Sequence, residues 1–278
     1  MNINWRLKSM AFHWIDVFSL YRLLSFLQKH VTRRSNVHIS EIAGEWSTHQ
    51  INFAILKKPI VLEFGAGRHL AQNIYLSQFF GLQTVVDLFA MLDLDQVNEA
   101  ALQFSQLCSN IEFKRMADIA DIERNYGVRY LAPLDVRSAP FQDNSFDACI
   151  STYTLEHIPE EDIITIFKEL RRVISPQGLI SAVIDYSDHY SHTDREIGAL
   201  NYLQYSAEEF RRFNHKVHYQ NRLRHYSYCN IFDALKFKVL RSDAYDFVQP
   251  PAKLSPEFER ENPALCATRG IFLLQVEK

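Results

Sequence analysis

The sequence has 278 residues, 47% apolar and 23% charged, enough for one large domain or a domain with an appendage around a full core. Its net charge of −3 argues against bulk attraction to nucleic acid. Four cysteines, Cys108, Cys149, Cys229 and Cys266, lie far apart with no C-x-x-C pair, which points to reduced thiols in a cytoplasmic protein, not to a disulfide framework or a structural zinc site.

Residues 1–56 read as a helical N-terminal extension with a polar break at "TRRSN". The apolar stretch 10–27 is interrupted by His13, Asp16, Tyr21 and Arg22, so it suits neither a transmembrane helix nor a signal peptide. Within it Trp14, Val17, Phe18, Tyr21, Leu24 and Leu27 share one helical face. That face either packs on the domain or on a second copy in a homodimer, or lies on a membrane surface. The second reading uses Arg6, Lys8, Arg22, Lys29, Arg33 and Arg34 and makes the protein peripheral to the inner face of the membrane.

From residue 59 strands and helices alternate, and residues 57–278 read as one α/β domain. "PIVLEF" is a buried strand, followed by a helix to about residue 80; "QTVVDL" is a second strand and "LDQVNEAALQFSQL" a second helix. "VRYLAPLD" and "SFDACIST" are the third and fourth strands, "EEDIITIFKELRRVI" a helix and "GLISAVIDY" the fifth strand. A segment rich in His, Tyr and Arg, at about 187–230, breaks this rhythm and reads as a lid over the site. After it come the helix "YCNIFDALKF", the strand "KVLRSDAY" and a closing strand "GIFLLQVEK", expected to run antiparallel at the sheet edge. The whole predicts a Rossmann-like, doubly wound, seven-stranded sheet with its last strand antiparallel.

The first strand ends on Glu63 and passes straight into Gly65 and Gly67 before a helix whose N-terminus is open to a ligand. A dinucleotide site wants a third glycine, but Leu70 stands there. Asp87, ending the second strand, is placed to accept two ribose hydroxyls, while Glu63 would repel a pyrophosphate and attract an amino group.

Glu63-Phe64-Gly65-Ala66-Gly67 resembles the first motif of class I S-adenosylmethionine-dependent methyltransferases, and Asp87 matches the acid ending their second strand. "LDVRSAPFQDNSFDACISTYTLEHI" is similar to their adenine-binding loop and fourth strand, and "ELRRVISPQGLI" to the helix and turn before their fifth. The resemblance covers about residues 59–185 and departs from the family at His69, where a third glycine often sits. It implies S-adenosyl-L-methionine as cofactor and S-adenosyl-L-homocysteine as product. It implies cofactor contacts at Glu63, Gly65, Gly67, Asp87, Asp135, Val136 and Tyr153, with Asp135 on the adenine amino group. The unit "IDYSDHYSHTD" through "HYQNRLRHYSY" resembles methyltransferases associated with bacterial cell-surface polysaccharide synthesis, which implies an acceptor hydroxyl on a sugar or glycan precursor.

An oxygen acceptor has to lose a proton, and histidine is the natural base near neutral pH. His157 follows the fourth strand and is either that base, a substrate contact or a helix cap; Asp185 and His189 follow the fifth as further catalytic candidates. Ubiquinone-type O-methyltransferases carry a Glu-x-x-Glu-His cluster that can hold a metal, but Tyr153 replaces the first acid, so no metal is expected. "RRFNHKVHYQNRLRH" is either a solvated face or a clamp for an anionic substrate. Two other functions remain open: an RNA methyltransferase using 211–225, and a cofactor-binding but inactive partner that organises a complex.

Overall fold

The computed structural model describes residues 3–20, 39–108, 110–258 and 260–278. Seven strands, β1 (Val61–Phe64), β2 (Gln83–Val86), β3 (Val128–Leu131), β4 (Phe146–Thr152), β5 (Ile174–Asp185), β6 (Lys238–Phe247) and β7 (Ala267–Gln275), form one sheet in the order β3-β2-β1-β4-β5-β7-β6. β1 to β5 pair in parallel and β7 is antiparallel to both β5 and β6. This is the expected fold, with one correction: β7 is not at the edge but slots between β5 and β6. β7 carries the buried Ile271, Phe272 and Leu274, whereas β6 is half-exposed and bears Lys238, Arg241 and Asp243, charges suited to a solvated edge.

Helices α1 (Trp5–Val17) and α2 (Ile39–Asn52) precede the sheet; α3 (Ala71–Leu76), α4 (Leu94–Leu107), α5 (Ile119–Tyr126) and α6 (Glu160–Val173) alternate with its strands. α7 (Ala207–Arg211) and α8 (His225–Ala234) follow β5. β1 shows why two layers form. Leu62 and Phe64 point to the face covered by α6 and α8, with Phe167, Leu170 and Phe232. Val61 points the other way, toward Phe53 and Leu76, and so does Glu63, toward α3. The period of two thus places a carboxylate inside the protein, at the ligand end of the strand.

α1 does not pack the expected stripe on the domain. Its buried residues are Trp5 and Ser9, while Trp14, Val17 and Phe18 are at least half exposed. The inward face docks on the segment after β5 through hydrogen bonds that the apolar pattern does not report. Trp5 N–H donates to Asp194 Oδ2 (2.8 Å), and Asp16 accepts from the Lys216 and Val217 amides (2.6 and 3.2 Å). The Trp5 ring meets Phe213 edge-on. Tyr21, Leu24 and Leu27, with Arg22, Lys29, Arg33, Arg34 and the "TRRSN" break, lie outside the described residues.

Candidate functional site

Three cavities open at the carboxyl ends of the parallel strands, and Tyr153 borders all of them. Its backbone is left-handed (φ 51°), which sets the residue just past β4 across the junction. The first cavity, about 460 Å³, runs between Asp87 and the loop from Leu134 to Arg137. The second, about 260 Å³, lies between Trp46, Glu63, His69 and Gln72. The third, about 660 Å³, holds Glu156, His157, Asp185, His189, His192 and His218, with Lys8 and Phe12 of α1 in its wall.

Gly65 borders both of the first two cavities, and it and Gly67 both stand at φ 78°. A Cβ on Gly65 would stand 2.3 Å from Thr154 Cγ2, while one on Gly67 would meet nothing within 4 Å, so the second glycine leaves the main chain open to a ligand. Asp87 is buried and its Oδ2 has no partner among the described residues. Burial raises its pKa, opposed by the Tyr130 hydroxyl and the amides of the glycine turn. A ribose hydroxyl brought here would pair with the Oδ2 that otherwise lacks a donor.

Glu63 accepts from Gln72 Nε2 (2.9 Å) and Asn73 Nδ2 (2.5 Å), and burial pushes its pKa up to about 8. The network continues from Gln72 to Thr152 and on to His49 of α2, whose ring bridges Thr152 and Ser181 at 2.8 Å each. His49 is held neutral by burial, with a pKa near 3. A hydrogen-bonded chain therefore fixes α2 to the strand that carries Glu63. Trp46, His69, Gln72 and Thr152 in this second cavity were not singled out as site residues. His69 is there because its Nδ1 accepts the Ala71 amide at the start of α3 (3.2 Å), a local capping role that a sequence pattern does not announce.

Asp135 and Val136 line the first cavity as expected, but Asp135 is already engaged. Arg137 reaches both its oxygens (Nε to Oδ1 3.0 Å, Nη2 to Oδ2 2.7 Å) and holds its pKa below the usual value. An adenine amino group would share this carboxylate with a guanidinium.

The expected catalytic residues meet in the third cavity. His157 Nδ1 lies 2.9 Å from the Tyr219 carbonyl, which can only accept, so Nδ1 carries the proton and Nε2 keeps a lone pair. Burial lowers the His157 pKa, partly offset by the Tyr219 bond. The His157 and His189 rings are 4.9 Å apart, and Asp185 Oδ2 is 3.4 Å from His189 Nε2 and 3.7 Å from His192 Nε2. For Asp185, burial raises the pKa, but bonds from His189 and Ser187 outweigh it and leave the net shift downward.

The cationic stretch 211–225 divides. Arg224 is fully buried and donates to main-chain carbonyls, and Arg222 lies between the rings of Phe210 and Phe258 with Glu257 as ion partner (2.9 Å). Arg211, Arg212 and Lys216 are exposed. Two of the five cations therefore serve the fold of the lid.

Residues 62–182, which hold β1 to β5 and most of this geometry, match the model of a family described as a methyltransferase domain. This segment is a methyltransferase domain. No curated protein matches the chain. Among solved structures, the 1,6-didemethyltoxoflavin-N1-methyltransferase of Burkholderia thailandensis, with bound 1,6-didemethyltoxoflavin and S-adenosylhomocysteine, is similar at TM-score 0.50 and 15% identity, covering 94% of this chain and 89% of that one. An S-adenosylmethionine-dependent methyltransferase of Methanosarcina mazei aligns at TM-score 0.49 and 13% identity over 82% and 97%. At such identities the likeness is one of fold.

The cofactor of this methyltransferase domain is S-adenosylmethionine, and the first two cavities fit it. The orphaned Asp87 oxygen suits a ribose, and the buried acid at Glu63 suits an amino group. Asp87→Ala should weaken S-adenosylhomocysteine binding by about 1–3 kcal/mol, the usual result of leaving buried hydroxyls unpaired. NAD should not bind at all; calorimetry that finds it the tighter ligand would refute the assignment. Glu63 adds a protonic signature. With its pKa near 8 it is largely protonated at pH 7, and an ammonium placed beside it favours the ionised form. S-adenosylhomocysteine binding at pH 7 should therefore release protons, seen as a binding heat that varies with the ionisation enthalpy of the buffer. Glu63→Gln should abolish that variation.

Proposed function

We propose that this methyltransferase acts on a hydroxyl of a small molecule, most readily a sugar or glycan precursor of the kind used in cell-surface polysaccharide synthesis. The observation that carries the reading is Tyr153, common wall of the cofactor cavities and of a third cavity lined by His157, Asp185, His189 and His218. The polar lining of the third cavity suits a polyhydroxyl acceptor, and its position favours transfer between two held partners. When bound, S-adenosylmethionine supplies an electrophilic methyl on a sulfonium. His157 Nε2 takes the hydroxyl proton as the oxygen–carbon bond forms and the carbon–sulfur bond breaks. Asp185 stabilises and orients His189 beside it, and Lys8 and Phe12 of α1 help shape the acceptor wall.

The engagement of Arg222 and Arg224 inside the lid supports a small acceptor over RNA, since it leaves fewer cations for a phosphate backbone. An inactive scaffold partner has no use for three cavities meeting at one residue. The test is turnover with cell extract split into glycan and RNA fractions, read as a mass gain of one methyl. Gain only in the RNA fraction would transfer the reading to the alternative, and none in either would favour the scaffold.

Among the described residues no helix is long and apolar enough to cross a membrane. The outward face of α1, with Leu7, Met10, Trp14, Val17 and Phe18, remains available for a second copy or for peripheral contact with the inner face of a membrane in the cytoplasm. Flotation with anionic liposomes that is lost in high salt is the expected result of the membrane contact; a dimer that ignores lipid is the expected result of the other.

A further inference from the structure

We propose that Glu156, His157 and His189 form a divalent-metal site in the acceptor cavity. Their ligand atoms, one from each residue, lie within 4.8 Å of one another. Ligands about 2.0–2.2 Å from a tetrahedral zinc ion stand about 3.4 Å apart, so side-chain shifts on the order of 1 Å would close the site. No metal was expected from the sequence because Tyr153 replaces the first acid of the Glu-x-x-Glu-His pattern. The third ligand here comes instead from His189, on the segment after β5, which no spacing within the β4 loop could reveal.

The second observation is Glu156 itself. It is 2% exposed, and its Oε2 has no hydrogen-bond partner among the described residues. A buried carboxylate oxygen without a donor is costly unless a proton or a cation meets it, and a cation held by two imidazoles would keep it ionised. The histidines are prepared in the same sense. The Tyr219 carbonyl fixes the proton on His157 Nδ1 and leaves Nε2 as a lone-pair donor, the usual outer partner of a ligating imidazole. Asp185 stands beside His189 as a carboxylate in the corresponding position. Two imidazoles and one carboxylate with open positions suit zinc, iron(II), cobalt or nickel better than magnesium or calcium.

The role of the site, though not its existence, rests on the methyltransferase reading. A cation there would polarise the acceptor hydroxyl. With the ion bound, His157 Nε2 would be a ligand and so no longer the proton acceptor it is in the metal-free protein, and the hydroxyl proton would pass to Asp185 as the oxygen–carbon bond forms and the carbon–sulfur bond breaks.

The test uses the untagged full chain, stripped with chelator and titrated with Zn²⁺ by calorimetry and with Co²⁺ by visible absorption. The expected result is one equivalent bound per chain, with ligand-field bands for Co²⁺ in a site of low coordination number. Glu156→Gln and His189→Ala should each abolish the bands and the stoichiometric heat, while S-adenosylhomocysteine affinity stays within about twofold, as for a group outside the cofactor cavities. His157→Ala, at an exposed ring, should likewise abolish the bands and the stoichiometric heat, and is read where a buried substitution impairs folding. Absence of stoichiometric binding by the wild type, or binding unchanged in His157→Ala and His189→Ala, would overturn the site. Failure of S-adenosylhomocysteine to bind would instead strike the cofactor reading, because the metal titration is read independently of it.

Discussion

His157→Asn is expected to cut turnover by roughly 10²–10⁴-fold, the usual worth of a positioned proton acceptor. The melting temperature should stay almost unchanged, and S-adenosylhomocysteine affinity should fall far less than turnover. The asymmetry follows from where the ring sits. The ring is exposed and borders both the first and the third cavity, and its hydrogen bond is to the Tyr219 carbonyl, which an asparagine amide can still approach. His189→Asn should also lose turnover, but with some loss of stability, because that ring is 9% exposed and packs against His157, His192 and His218. If both variants kept wild-type turnover, the acceptor would ionise without a histidine. Asp185, between His189 and His192, would then be the residue to replace.

What the sequence makes legible depends on whether a residue's job is local. β1, the glycine turn and α4 can be read from short patterns, because apolar runs, φ above zero and helical periodicity are properties of adjacent residues. α5 went unread although its signals are local too: Asp118 caps the Asp121 amide and Gly127 closes the helix in a left-handed conformation. Its apolar face is only Ile122 and Tyr126, too short a stripe for periodicity to register. The placement of β7 inside β6, and the inward turn of Trp5 in place of Trp14, are settled by partners some 20 to 190 residues away. At the site, His157, Asp185 and His189 are legible because each follows a parallel strand and so reaches the same sheet edge. His49, Trp46 and Lys8 are not, since an N-terminal extension carries no register that says which cavity it will border. Asp135 shows a further limit: its position is readable, but its capture by Arg137 depends on side-chain geometry.

Arg224→Met tests whether the lid's basic stretch is built for a ligand or for the fold. Arg224 is 0% exposed, and its guanidinium donates to the Tyr186 carbonyl (2.7 Å), the Tyr202 hydroxyl (2.6 Å), the Leu265 carbonyl (2.6 Å) and the Ala267 carbonyl. It also lies 5.2 Å from the centre of the Tyr186 ring. One side chain thus ties the end of β5, the lid and the start of β7 together. Methionine keeps the packing of the stem and removes every donor, leaving the buried Leu265 and Ala267 carbonyls unpaired, while the Tyr186 carbonyl keeps only the Tyr202 hydroxyl (2.6 Å). At about 1–3 kcal/mol for each such group, less what water can recover, the expected loss is about 2–5 kcal/mol. For a chain of this size that is a fall in melting temperature on the order of 10 °C. Arg211→Ala and Arg212→Ala, at exposed positions, should leave the melting temperature within about 1 °C, as surface substitutions usually do. If Arg224 were a clamp for an anionic acceptor, the pattern would invert, with KM raised and the melting temperature held. That inversion would return Arg224 to the substrate site. The expected pattern instead leaves recognition of any acidic acceptor to Lys8 and Lys216, which line the third cavity from α1 and the lid.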